Sequence, residues 1–144
     1  MKKGEDVITF VIPFALGKIK DEIIINTNTD YSKEKIINKA YRFHLEGNLK
    51  KASKYYKYLV DDGSNNASIY NNYGIVLKDL GKLKEAESSI RKAIQLKPDF
   101  ANAYSYLGNT LKDLGKLEEA ELSIRKAIKI DPNYADAYSN LGVI

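Results

Sequence analysis

The sequence contains no cysteine, a single histidine and only three prolines. Without cysteine, disulfide bonds and thiolate metal sites are excluded, and nothing indicates an oxidising compartment. The lone histidine, His44, lacks the partners that a metal site or a Ser-His-Asp constellation requires. With 44% hydrophobic and 29% charged residues, the composition is typical of a folded, helix-rich protein. We therefore expect no catalytic centre, no metal and no cofactor.

Long apolar runs are lacking as well. No stretch approaches the roughly 18 consecutive apolar residues that a membrane span needs. The short run from Val7 to Leu16 is interrupted by Pro13. No small-residue cleavage site follows it, so it does not resemble a secretory signal peptide. We therefore expect a cytoplasmic protein with no membrane partner.

The net charge of +4 is unevenly distributed along the chain. Residues 33–66 contain eight Lys and Arg against four Asp and Glu, whereas residues 101–134 contain five of each. The lysines alternate with acidic residues, which is typical of a solvated helix face. A net charge this small is weak evidence for nucleic-acid binding, and no nucleic-acid partner is predicted.

The most informative feature is an internal repeat of 34 residues. When Ala67–Phe100 is aligned with Ala101–Tyr134, 20 of the 34 positions are identical. The motif Leu-Lys-Asp-Leu-Gly-Lys-Leu occurs at 77–83 and again at 111–117. A fixed period of this length is typical of stacked supersecondary units.

Each unit is predicted to contain two helices. The first ends near Gly115, because glycine readily adopts the left-handed conformation that terminates helices. The second stops at Asp131-Pro132, because proline lacks an N–H and disfavours helix in the residue before it. Small residues at Gly108, Ala120 and Ala127 are expected to allow close approach of the two helices. The apolar faces comprise 104, 107, 108 and 111 on the first helix, and 117, 120, 124, 127 and 128 on the second.

This pattern resembles the tetratricopeptide repeat (TPR). The signature offsets are filled twice, by Tyr70, Tyr73, Gly74, Leu77, Gly81, Ala86, Ile90, Ala93 and Pro98, and by Tyr104, Leu107, Gly108, Leu111, Gly115, Ala120, Ile124, Ala127 and Pro132. The resemblance implies an all-α fold, a right-handed superhelix of antiparallel helix pairs. In style it is similar to the regular arrays that precede glycosyltransferase or sulfotransferase domains.

The repeat frame predicts the domain organisation. A divergent first repeat spans 33–66, complete repeats span 67–100 and 101–134, and the first helix of a fourth repeat, or a capping helix, spans 135–144. Residues 1–32 form an N-terminal arm. In this arm, Val7–Ile12 and Ile23–Ile25 are compatible with strands, and Asn26–Asp30 is predicted to be a polar linker.

Two local features lie at the repeat ends. Asn66-Ala67-Ser68 matches a glycosylation sequon, but its place at a predicted helix start favours a capping role. Val143 and Ile144 are not polar, as the outer face of a terminal cap would be, so we expect a piece of a longer array.

In the TPR family the inner face of the array is lined mainly by the first helix of each repeat. The offsets that are not used for packing are therefore expected to face a groove. The predicted groove residues are Asn38, Tyr41, Asn71, Asn72, Ile75, Lys78, Asn102, Ser105, Tyr106, Asn109, Lys112 and Asn140. Because an asparagine amide both donates and accepts hydrogen bonds, a row of asparagines can hold an extended peptide by its backbone.

The residues at one offset of this groove resemble the asparagine ladder in the TPR array of O-linked N-acetylglucosamine transferases. The resemblance places the ladder on Asn38, Asn72 and Asn140, with Tyr106 as an interruption. The alternative is that asparagine is simply a tolerated polar residue on an exposed helix face.

A second familiar TPR binding mode, the clamp for a C-terminal carboxylate, is not predicted. The clamp needs lysine or arginine at inner offsets of the first and third repeats. Those offsets are occupied here by Ile37, Tyr41, Asn102 and Tyr106.

These observations favour a protein–protein interaction scaffold that binds an extended peptide or a partner helix. One alternative is a substrate-recruiting segment of a larger glycosyltransferase or sulfotransferase. Another is a self-associating array that forms a homo-oligomer through its open C-terminal end, at Tyr138, Leu141, Val143 and Ile144.

Overall fold

The computed structural model describes residues 29–142, which form seven α-helices and no strand. The all-α prediction is therefore confirmed for this range, whereas the strands predicted between residues 7 and 25 lie outside it. The chain divides into two compact units. The first unit contains α1 (Thr29–Leu45) and α2 (Leu49–Asp61), and the second contains α3 (Ala67–Asp79), α4 (Leu83–Leu96), α5 (Ala101–Asp113), α6 (Leu117–Ile130) and α7 (Ala135–Gly142).

The start of α1 differs from the sequence prediction. A polar linker was predicted to continue through Asp30, but Thr29 and Asp30 already belong to the helix. Threonine and aspartate are common where helices begin. The end of this polar run therefore opens a helix instead of separating two segments.

Asparagine caps and left-handed glycines set several of the other helix ends. Asn66 Oδ1 accepts a hydrogen bond from Ser68 N at 2.9 Å, which confirms the predicted cap of α3. Gly81 and Gly115 follow α3 and α5 with φ angles of 78° and 77°, a region that glycine enters without steric cost. Asp131 is extended before Pro132 and ends α6, as predicted.

The core of the first unit is aromatic. Phe43 of α1 stacks on Tyr55 of α2 with ring centroids 5.5 Å apart, and Tyr56 is fully buried beside them. Part of the positive charge of this unit lies against the same rings. Arg42 and Lys51 are 5.3 and 5.0 Å from the Phe43 centroid, so these cations contribute to packing through their attraction to the ring face.

The second unit depends on close contacts between paired helices. A Cβ placed on Gly108 would overlap Cγ1 of Ile124 and lie 3.1 Å from the Ala120 carbonyl oxygen. Gly74 meets Ile90 in the same way one repeat earlier. Both isoleucines are fully buried. The close approach that the small residues predict is therefore confirmed.

An ion-pair network joins α4 to the beginning of α6. Glu87 accepts hydrogen bonds from Arg91 on its own helix at 2.8 Å and from Lys116 at 3.0 Å, and Arg91 also reaches Glu119 at 3.0 Å. Burial alone would raise the pKa of Glu87, but the hydrogen bonds from Lys116 and Arg91 outweigh it and hold the pKa below its usual range.

The glycine–isoleucine contact predicts a steric cost for any side chain at position 108. We expect Gly108→Ala to lower the free energy of unfolding by about 1–3 kcal/mol, because the added methyl group overpacks a buried contact. Urea denaturation followed by circular dichroism measures this change. The control is Gly142→Ala, in which the new Cβ meets no atom within 4 Å and stability should stay equal or rise by up to about 1 kcal/mol. Equal losses in both variants would contradict the contact.

The Glu87 network predicts a pH-dependent contribution to stability. Since the folded pKa of Glu87 is lowered, the unfolded chain takes up its proton first as the pH falls. The stabilisation is thus complete above the unfolded pKa and is lost as the pH falls through the folded pKa. We expect the destabilisation caused by Glu87→Gln to be largest near neutral pH and to fade below about pH 4, as measured by urea denaturation at a series of pH values.

Glu121→Gln is the matched control for this experiment. Glu121 is the equivalent residue of the next repeat, but it is 44% exposed and its ion pair is with Arg125 of its own helix. Such exposed pairs contribute little. Parallel pH profiles for the two variants would show that the network around Glu87 has no special effect.

Candidate functional site

A polar pocket of about 150 Å³ lies between α5 and α7 in the second unit. Its lining residues are Ser105, Tyr106, Asn109, Tyr134, Asp136, Ser139 and Asn140. Four of them, Ser105, Tyr106, Asn109 and Asn140, are among the predicted groove residues. The structure therefore brings together side chains from two successive repeats.

The position of α7 follows from a small apolar cluster. Ala137 of α7 is fully buried with Ile124 and Ala127 of α6. This contact turns the polar residues of α7 toward α5. There Asn140 Nδ2 donates a hydrogen bond to Ser105 Oγ at 2.9 Å. Ser105 is only 2% exposed, so it serves mainly to fix the Asn140 amide at the pocket wall.

Two of the predicted groove asparagines bind one another. Asn71 Nδ2 donates to Asn102 Oδ1, and Asn102 Nδ2 donates to Tyr134 Oη, each at 2.9 Å. Asn71 is only 2% exposed. These amides therefore link α3, α5 and the residue before α7, although Asn71 Oδ1 is buried without a partner among the described residues.

Tyr134 keeps its proton at neutral pH. Burial raises the pKa of its hydroxyl, and the nearby Asp136 and Tyr106 raise it further, against the opposing hydrogen bonds with Asn102 and Ser105. The pocket thus contains a neutral phenol beside the Asp136 carboxylate.

Asn72 and Asn109 differ from Asn71 and Asn102 because no hydrogen bond to a described residue holds their side chains. Asn72 Nδ2 and Asn109 Oδ1 are buried and have no hydrogen-bond partner among the described residues. Both residues are half-buried overall. No internal hydrogen bond opposes rotation of either amide, and such a rotation would bring the buried atom toward the exposed side of the residue.

The other predicted groove residues of the second unit are more varied. Lys78 forms an ion pair with Asp113 at 3.1 Å, which partly neutralises it. Ile75 and Lys112 are half-buried and do not line the pocket.

The remaining two predicted residues belong to the first unit. Asn38 is exposed on α1. Tyr41 is 43% exposed and meets Tyr56 edge-on, with ring centroids 6.5 Å apart. Both present polar groups to solvent on the first helix of the divergent repeat.

Three pocket residues were not among the predicted set. Asp136 and Ser139 stand at the same offsets as Asn102 and Ser105, so the repeat frame carried a signal for both. Tyr134 is the last residue of its repeat and lies outside the offsets assigned to the groove. No pattern in the sequence marks it.

The described part of the chain shows neither a metal site nor a membrane-spanning helix. Between residues 29 and 142, no three or more His, Asp or Glu residues are grouped so that they could bind a metal ion. Within the same range, no helix combines the length and apolar character of a membrane span. The pocket instead offers amides, hydroxyls and one carboxylate, a set suited to binding a polar ligand.

Comparison with known proteins identifies the repeat. A family model described as TPR repeat matches residues 74–115 and 108–144. A search of curated protein sequences gave no significant match. Among solved structures, the TPR domain of Arabidopsis OM64 superposes with a TM-score of 0.75 at 21% identity, over 78% of this chain and 93% of that one.

Two further structures are similar over most of this chain. The first TPR domain of Spaghetti (RPAP3), bound to the HSP90 peptide SRMEEVD, has a TM-score of 0.73 at 25% identity, over 77% of this chain and 88% of that one. An O-GlcNAc transferase variant from Thermobaculum terrenum has a TM-score of 0.76 at 22% identity, over 83% of this chain but only 23% of that one. With its tandem 34-residue signatures, its paired helices and these matches, the chain belongs to the tetratricopeptide-repeat family.

Proposed function

We propose that the second unit binds an extended peptide segment of a partner protein, and that the amides of Asn72 and Asn109 hold the peptide backbone. The observation that carries this proposal is the uncommitted state of both amides among the described residues. A buried polar group without a partner costs about 1–3 kcal/mol. A ligand that supplies the missing partner recovers part of that cost.

A peptide backbone supplies what both side chains lack. Its carbonyl oxygen can accept from Asn72 Nδ2, and its N–H can donate to Asn109 Oδ1 after rotation of the amide. This recognition is independent of the peptide's side chains, since every residue except proline offers the same pair of groups. Asn71 and Asn102, whose amides bind one another, act in the proposal as positioning residues.

The known behaviour of a related domain supports the class of ligand. The Spaghetti (RPAP3) domain was solved with a bound peptide, and it has the same fold over 77% of this chain. In the proposal the rest of the surface is formed by other predicted groove residues of the second unit, namely Ile75, Lys78, Tyr106, Lys112 and Asn140. The protein acts as a scaffold and catalyses no reaction.

The alternative functions have less support. The likeness to the Thermobaculum terrenum transferase covers 23% of that chain at 22% identity, so it concerns the fold. Self-association through the C-terminal end involves Val143 and Ile144, which lie outside the described residues. Neither alternative accounts for the free amides of Asn72 and Asn109.

The proposal predicts that the two amides contribute to binding and not to folding. Peptides are first selected on the wild-type protein from an unbiased library of 12-residue sequences. Fluorescence anisotropy then gives their affinities for the double variant Asn72→Ala/Asn109→Ala. We expect an affinity loss of about tenfold, which corresponds to one or two lost hydrogen bonds, with little change in the urea midpoint.

Asn133→Ala is the matched control, because Asn133 is an exposed asparagine in the connector before α7. It should leave the affinity unchanged. Equal affinities for the double variant and the control, or failure of the library to yield any binding peptide, would overturn the proposal.

A further inference from the structure

We propose that the pocket between α5 and α7 receives a cationic group of the bound peptide, the ammonium of a lysine or the guanidinium of an arginine. This inference rests on the proposed function and specifies which ligands it selects. It concerns the lining residues Tyr106, Asn109, Asp136 and Ser139.

The charge of the pocket points to a cation. Asp136 is the only ionisable carboxylate among the lining residues, and none of them is lysine or arginine. No ion pair joins Asp136 to another described residue. An anionic ligand group would therefore meet a like charge, whereas a cationic group would supply a counter-ion.

The hydrogen-bonding capacity of the pocket points the same way. The amide donors of Asn102 and Asn140 are already directed at Tyr134 Oη and Ser105 Oγ. The groups that remain include the Asp136 carboxylate and Asn109 Oδ1, which has no partner among the described residues and keeps a second lone pair when a peptide N–H binds it. Both are acceptors, and an ammonium or guanidinium is a group that only donates.

The volume of the pocket and its aromatic residues are also suitable for a cationic side chain. A volume of about 150 Å³ exceeds the roughly 30 Å³ that one water occupies, and it accommodates a cationic head group. Tyr106 and Tyr134 line the same space, and tyrosine rings attract cations at their faces. The nearest positive charge on α5, which would repel a cationic ligand, is Lys112. It lies about one turn beyond Asn109 and does not line the pocket.

This selectivity differs from that of the related domain. The peptide SRMEEVD, which is bound to Spaghetti (RPAP3), has three acidic residues among its last four residues. In the present chain, Asn102 and Tyr106 occupy two of the inner offsets where a carboxylate clamp needs basic residues. The pocket formed beside them carries Asp136 instead.

The test uses small probes, so that it does not depend on an identified partner. The full chain, labelled with ¹⁵N, is titrated with N-acetyl-lysine amide, N-acetyl-norleucine amide and N-acetyl-glutamate amide, and backbone amide shifts are followed by NMR. We expect saturable shifts around Asn109, Ser139 and Asn140 with the lysine probe only. These shifts should weaken as salt is added, because the attraction is electrostatic.

Two variants and one control assign the effect to the carboxylate. Asp136→Asn should weaken binding of the lysine probe about fivefold, the value of a partly exposed ion pair. Ser139→Lys should abolish it by placing a competing ammonium in the pocket. Asp99→Asn should leave it unchanged, because Asp99 is an exposed acid at the position where the next repeat carries Asn133.

Either of two results would overturn the inference: equal shifts with the norleucine probe, or equal affinities of the Asp136→Asn and Asp99→Asn variants. The same results would leave the proposed function standing if library peptides still depended on Asn72 and Asn109. Conversely, lysine-probe binding that requires Asp136, without any peptide binding, would establish the cation site and remove the peptide groove.

Discussion

The second unit depends on one contact that recurs in each complete repeat, between a glycine of the first helix and an isoleucine of the second. At Gly108 the absence of a side chain lets Ile124 Cγ1 occupy the space where a Cβ would stand. The helix separation follows from this contact, and so does the rotation of each helix about its axis. The contact therefore determines which positions of the repeat are buried and which face outward.

Successive repeats of the unit are joined by two polar networks on different helices. The first helices are connected through Asn71 and Asn102, and the second helices through Glu87, Arg91 and their partners. The asparagine network is partly buried, and its hydrogen bond holds α5 against α3. The neighbouring amides of Asn72 and Asn109 can therefore remain uncommitted without loosening the stack.

The helices and their ends were largely predictable because their causes are local. The glycine at 115 and the proline at 132 act on the backbone within one or two residues, so the repeat motif was sufficient. The start of α1 at Thr29 and Asp30 was not predicted, because threonine and aspartate are common both at helix starts and in linkers.

The site was predictable only in part, because its causes lie between repeats. Asn71 and Asn72 are adjacent and chemically identical, yet Asn71 donates a hydrogen bond to Asn102 whereas Asn72 has no partner among the described residues. That difference depends on the register of α3 against α5, which no single repeat encodes. Asp136 could not be singled out for a similar reason. Its role in the proposed site depends on its having no ion-pair partner among the described residues, which its offset in the repeat does not reveal.

The first repeat shows how the glycine–isoleucine contact constrains variation. Its corresponding positions hold Ala40 and Tyr56, and both are fully buried. Where the first helix gains a methyl group, the isoleucine, which is branched at Cβ, is replaced by tyrosine, which is not. The two positions are therefore sterically coupled, so that the cost of adding a side chain at one depends on the shape of the side chain at the other.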